Sequence, residues 1–389
     1  LVVRASYGLQ GNIDKNTSPF LLGNYRIENI LPGGSEDMID VSGAPNKKLR
    51  WEKTHSVNAG FDFAVLNQAI NLSVDYYYRK GVDLIGTQML PLETGFEMLT
   101  VNWASMRNQV VEVALSTRNV HTKNFMWTTN FNFAYNNNKV LKEALREDAL
   151  EPGREGYPAG ALFALKTAGL DEEGYPMFQD KDGKAVSAME FFKLQEWGFG
   201  ATDLTARERR ELYTYVGTAD CPYTGGFNNT FTYKAFELGV NFSFDFGGKV
   251  RSQPTYSIVD FDKGRNTNRD ILNRWTPENT ETIFPVLLSQ NERLDEYMWY
   301  SNQNEIYRNL DIWIRDLNYV RLQNIRLGYT LPTNFSRTLG MTSATVAIEG
   351  RNLLVFGSSY KNYLDPETMS NAYATPAPKS VTLSLNLIF

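Results

Sequence analysis

Along much of the chain, apolar and polar side chains alternate with a period of two, as expected of β-strands with two unlike faces. Ile70, Leu72, Val74 and Tyr76 share one parity, while Asn71, Ser73 and Asp75 take the other. Phe131 and Phe133 alternate with Asn130, Asn132 and Ala134. Leu238, Val240, Phe242 and Phe244 alternate with Asn241, Ser243 and Asp245. The final residues repeat the scheme, with Leu383, Leu385, Leu387 and Phe389 set against Thr382, Ser384 and Asn386. The pattern predicts about ten strands, near 2–10, 50–66, 69–82, 105–119, 123–138, 224–234, 236–248, 311–331, 343–355 and 379–389. In YVRLQNIRLGYTL the parity changes between Leu322 and Ile325, and a β-bulge at Gln323-Asn324 would restore it.

The predicted connections alternate in length. Those at 66–69, 119–124 and 233–235 are short, and that at 332–342 is moderate. Those at 11–49, 83–104, 139–223, 249–310 and 356–378 are long. Up-and-down outer-membrane barrels show this alternation, with short periplasmic turns and long extracellular loops. The long loops carry Gly, Pro and aromatic residues, and helix is expected near 187–196 and 205–216. On periodicity alone a β-sandwich is the alternative, because it too buries one face of each strand. The polar parity decides between them. It is rich in Asn, Ser, Asp and Gly, which suits an enclosed wet lumen, whereas the apolar parity carries the aromatics of a membrane girdle. The fold expected is therefore all-β, an antiparallel transmembrane barrel.

Composition narrows the function. The 389 residues include 21 Tyr, 23 Phe and 7 Trp, and the net charge is −5, so no basic surface suggests nucleic acid. Cys221 is the only cysteine, and His55 and His121 are the only histidines. An intrachain disulfide and a Cys-x-x-Cys metal cluster are excluded, and neither histidine lies in a catalytic motif. No metal, cofactor or catalytic residue is expected. Asp171, Glu172 and Glu173 are carboxylates that a glycoside hydrolase could use, but loop carboxylates are commonly just solvated. Asp180-Lys181-Asp182-Gly183 is read as a tight turn, not a calcium loop. Mean hydropathy is −0.38, which alternating barrel strands produce as readily as a soluble protein does. The opening LVVRASYG has neither Met nor a signal peptide and reads as strand interior, so a preceding segment is expected.

Several stretches resemble one family, the SusC-like TonB-dependent transporters of Bacteroidetes. They are NKKLRWEKTHSVNAGFD (46–62), DYYYRK (75–80), GLDEEGYPMF (169–178), GGFNNTFTYKAFEL (225–238) and NRW (273–275). Met106, Arg107, Asn108, Val111 and Glu112 match a further family stretch, although Gln109-Val110 stands where a small residue is usual. The most specific combination is DIWIRDLNYVRLQNIRLGYTLP (311–332), then GRNLLV (350–355) and LDPE (364–367).

The resemblance covers the whole chain, 1–389, as the family's C-terminal barrel region. It implies a 22-stranded barrel around an N-terminal plug, with the plug and earlier strands absent from this chain. It also implies import powered by TonB and capped by a SusD-like surface lipoprotein. The expected cargo is an oligosaccharide or oligopeptide, with a siderophore or cobalamin as the alternative within the class and a secreted adhesin outside it. Ile70, Leu72, Val74, Tyr76, Phe131, Phe133, Leu238, Val240, Phe242, Phe244, Leu383, Leu385 and Leu387 are expected to face outer-membrane lipid. Trp51, Trp103 and Trp275 are candidate ligand platforms, and Phe389 is read as a signal for the barrel-assembly machinery.

Overall fold

The computed structural model describes all residues except 14–17, 22, 32–33, 42, 97, 146, 196–201, 253–263, 265–268, 288–307, 339, 358–364 and 369–373. The chain begins with β1 (Val2–Asn12), a hairpin of β2 (Gly23–Leu31) and β3 (Gly34–Val41), and then β4 (Glu52–Val65), β5 (Ile70–Met89), β6 (Met98–His121) and β7 (Phe125–Lys142). Short elements follow: β8 (Ala161–Leu165), β9 (Thr167–Leu170), β10 (Pro176–Gln179), β11 (Ala185–Val186), α1 (Ala188–Phe191), α2 (Ala206–Glu211) and β12 (Tyr213–Thr218). Long strands then resume with β13 (Tyr223–Tyr233), β14 (Phe236–Arg251) and β15 (Ile314–Thr330). The chain closes with α3 (Thr333–Thr338), β16 (Ser343–Phe356) and β17 (Ser380–Ile388).

Ten strands form one antiparallel sheet in the order β1-β4-β5-β6-β7-β13-β14-β15-β16-β17. Each pairs with its neighbours in sequence, apart from the short elements inserted in the long connections. This is the up-and-down meander that the alternating connections predict. The short turns use left-handed backbone at non-glycine residues: Leu66, Asn67 and Gln68 between β4 and β5, and Lys234 between β13 and β14. The predicted bulge is present. Asn241 pairs with Asn324 while the adjacent Phe242 pairs with Leu322, which leaves Gln323 as the extra residue.

The loop expected at 83–104 is corrected. β5 continues to Met89 and β6 begins at Met98, so the two strands stay paired far above the expected boundary. At about 3.3 Å per residue, 24 residues of β6 reach roughly 80 Å. A bilayer core of about 30 Å needs only about 9–11 tilted strand residues, so this hairpin projects well beyond it. The other long connections also contain structure. The helix expected near 187–196 shrinks to α1, and Glu196 lies outside the described residues. The helix expected at 205–216 ends at Glu211, because β12 pairs with β8 from Tyr213 onward. Its start is capped reciprocally by Thr205 and Glu208, and these hydrogen bonds hold the Glu208 carboxyl below its usual range.

The main closed hydrophobic core lies in the long connections, not on the sheet. Leu165, Tyr175, Phe178, Phe191, Leu310 and Trp313 pack there, and Trp313 is 1% exposed. A second set of large apolar side chains lies bare on the sheet. Leu383 is 76% exposed, and Phe61, Phe63, Leu327, Ile348 and Leu385 are also exposed.

Candidate functional site

Residues directly opposed across strands share a face of a sheet, so the pairing register sorts every side chain. One row runs Phe63, Leu72, Leu115, Phe131, Phe227, Phe242, Leu322 and Leu354. Phe227 and Phe242 stack with ring centroids 4.8 Å apart, and Trp127 stacks on Phe231 at 5.6 Å. The same register places all thirteen residues expected to face lipid on this apolar side of the sheet. Asn229 also falls on it, and its Oδ1 accepts bonds from Trp127 Nε1 at 3.0 Å and Thr129 Oγ1 at 2.7 Å.

The opposite face is hydrophilic. Asn71, Ser116, Asn130, Asn228, Asn241, Asn324 and Arg351 form one transverse row. A second row contains Arg4, Gly60, Asp75, Glu112, Thr224, Asp245 and Tyr319. Arg4 donates to Asp62 at 2.6 Å and Asp75 at 2.9 Å. Gly60 makes this possible, since a Cβ there would stand 2.1 Å from Asp75 Oδ1. The bulge at Gln323 serves the same face: Arg321, Gln323 and Asn324 all fall on it, and Gln323 Nε2 donates to Ser243 Oγ at 2.7 Å.

Part of a long connection folds back onto this hydrophilic face. Residues 365–368 dock against β15 through Arg321, which is 2% exposed. Its guanidinium donates to Asp365 and, at 3.0 Å, to Glu367. The Tyr319 hydroxyl lies 2.5 Å from Asp245 Oδ2 and 3.1 Å from Glu367 Oε1. Burial pushes the Asp365 carboxyl up, but the bond from Arg321 and the backbone N–H groups of Glu367 and Ala377 outweigh it and hold it below the usual carboxylate range. The sequence offered only weak notice of this cluster, in an Arg set between Val320 and Leu322 and a later Asp-Pro-Glu.

The three candidate tryptophans are not brought together. Trp51 is exposed, with its ring over Gly11, where a Cβ would stand 2.7 Å away. Trp103 is exposed, and Lys142 Nζ lies 3.6 Å from its ring centroid. Asn102 bonds both the N–H and the carbonyl of Arg50, which sets Trp51 and Trp103 on adjoining segments at the long-loop end. Trp275 is half-buried elsewhere, its ring pressed on Gly174 and its backbone N–H donating to Phe284 O at 3.0 Å. The acidic loop residues have structural work. Asp171 Oδ1 accepts the N–H groups of Glu173 and Tyr175, and Asp180 Oδ1 those of Asp182 and Lys184. The second set is the tight turn read from the sequence.

No family model matches the chain. It is 26% identical to TonB-dependent receptor P3 of Formosa agariphila over 99% of its own length and 39% of that receptor's. It is also 26% identical to TonB-dependent receptor SusC of Bacteroides thetaiotaomicron, over 88% of this chain and 32% of that one. The chain is similar to TonB-dependent receptors of the SusC kind. The solved RagAB peptide transporter shares its fold, with a TM-score of 0.73 and 22% identity over 99% of this chain and 40% of the transporter chain. The chain thus spans well under half the length of the relatives it matches. The relatives are receptors and transporters, not enzymes, and its place is the outer membrane. Among the described residues no helix is long and apolar enough to cross a membrane.

Proposed function

We propose that this chain forms a ten-stranded section of a larger closed barrel that imports oligosaccharides or oligopeptides with TonB supplying the energy. The observation that carries this reading is the division of one sheet into a bare apolar face and a hydrophilic face, with a folded loop layer at one end only. In lipid an open edge would leave backbone groups unpaired, and β1 and β17 each have a single neighbour. Further strands of the same wall would pair them. The apolar face, including Leu72, Val240 and Leu383, meets hydrocarbon. The Asn-rich and acidic rows line the passage and present amide and carboxylate groups to a polar cargo or to a plug. The loop layer, with Trp51 and Trp103 exposed at its end of the sheet, faces outward and receives a SusD-like lipoprotein as lid.

The test is genetic. A strain lacking the intact protein, grown on single glycans and single peptides, is expected to lose growth on at least one of them. Unchanged growth and uptake on every such nutrient would remove the import reading. Purification of the intact protein from mild detergent is expected to bring a surface lipoprotein with it.

A further inference from the structure

At the long-loop end of β14 a cleft of about 370 Å³ opens between the paired strands β8 and β12 and the segment entering β15. That volume is at the small end for ligand pockets and fits one residue-sized group. Its mouth carries the exposed Glu151 and Arg154, and its base the buried Ala161 and Ser252 and the half-buried Arg251. Arg308 also lines it. The lining thus brings Arg154, Arg251 and Arg308 near Glu151, with Arg154 also 4.0 Å from Glu143.

The setting of Arg251 is the informative one. Its guanidinium donates to Arg308 O at 3.1 Å and to Asn309 Oδ1 and Phe163 O, all uncharged acceptors. These bonds fix the group in place without neutralising it. Among the described residues no carboxylate lies within ion-pair distance of it, Glu151 included. A guanidinium has five N–H donors, so the Nε–H and one Nη2–H are left for a further acceptor. The contrast with Arg321 is direct: that buried arginine is met by Asp365 and Glu367 from its own chain. Phe163 and Tyr213 line the cleft beside Arg251, and Phe163 is held from behind by Tyr157 and Tyr215, their ring centroids 5.3 and 5.9 Å from its own.

We propose that this cleft binds a carboxylate of the imported ligand, with Arg251 as the fixed cation and the Phe163 wall holding the adjoining group. A charge-assisted, two-point contact is the strong form of such a bond. The carboxylate can come from a peptide C-terminus or from a uronate sugar, and both present the same pair of oxygens. The inference rests on the import reading, which makes the loop layer the first surface a ligand meets.

The experiment uses the intact transporter in detergent and four probes read by calorimetry: tetraglycine, tetraglycine amide, a galacturonate trisaccharide and a neutral galactose trisaccharide. One acid probe is expected to bind about tenfold or more tighter than its neutral counterpart, and the responding pair identifies the source of the carboxylate. Arg251→Gln is expected to abolish that preference. Glu151→Gln, which removes the carboxylate at the mouth, is expected to increase it and decides the matter should Arg251→Gln not assemble. Equal binding within both pairs, a preference that survives Arg251→Gln, or no binding of any probe would overturn the proposal. Equal binding with nutrient uptake intact would remove the carboxylate site alone. Unchanged uptake of every nutrient in the strain lacking the protein would remove the import reading and leave the binding preference standing.

Discussion

Leu72 and Ser73 are adjacent in sequence yet belong to opposite faces of β5, so they give a paired comparison with identical chain context. Leu72→Arg and Phe242→Arg put a charge on the apolar face and are expected to cost about 2–4 kcal/mol of folding in lipid. Ser73→Arg and Asn241→Arg place the same charge on the hydrophilic face and are expected to cost much less. Refolding into vesicles, followed by the shift in gel mobility on heating, measures the difference. Arg321 makes a second residue-level prediction. Arg321→Ala leaves Asp365 buried without its cation, and breaking such a pair costs about 3–5 kcal/mol. Faster proteolysis between residues 365 and 368 is the expected readout, with the sheet intact. Because the Asp365 carboxyl is held below its usual range, its contribution is complete above about pH 4 and is lost as pH falls through the lowered value. Docking of that segment should be unchanged from pH 7 to 5 and weaken only in stronger acid. The bulge at Gln323 was legible because a parity change is local. The partners of Arg321 were not, since Asp365 is 44 residues away and nothing in the intervening sequence sets its direction.

Elements show where period-two reading works and where it stops. The long strands with one clean apolar parity, such as β14, appear where the alternation places them. The upper parts of β5 and β6 did not announce themselves. Leu84 and Ile85 are adjacent apolar residues, and the register shifts on both sides of Leu84 break the alternation that marks a strand. The loop layer was legible only as structured: β8 and β12 are 48 residues apart at their closest paired ends, and pairing at that separation is decided by packing. Trp313 is the centre of that packing. Trp313→Ala should cost the loop layer about 3–5 kcal/mol and expose Phe178 and Leu310 while the ten-stranded sheet persists. Hydrogen exchange resolved by segment would show fast exchange over 161–218 and unchanged protection in β5 to β7. Within the sheet, Gly225 lies so close to β7 that a Cβ would stand 2.3 Å from the Asn132 carbonyl oxygen. Gly225→Val is therefore expected to block assembly more severely than Thr224→Val, measured as the fraction of heat-modifiable protein in the outer membrane.

For the whole molecule, the distribution of burial is inverted relative to a soluble β-sandwich. Its closed core sits in the connections, and its widest sheet leaves Leu383, Ile348, Phe61 and Leu354 uncovered. A soluble protein would hide such a surface, because patches of this extent drive association. A bilayer supplies the missing layer, and the hydrophilic rows then line an interior. The decisive measurement is the depth and access of spin labels in vesicles of the intact protein with Cys221→Ser. Single cysteines at Leu72→Cys, Val240→Cys and Leu383→Cys should be relaxed by oxygen dissolved in lipid, and those at Ser73→Cys and Asn241→Cys by a water-soluble nickel complex. Labels at both sets relaxed equally by the nickel complex, or the reverse assignment, would contradict the account.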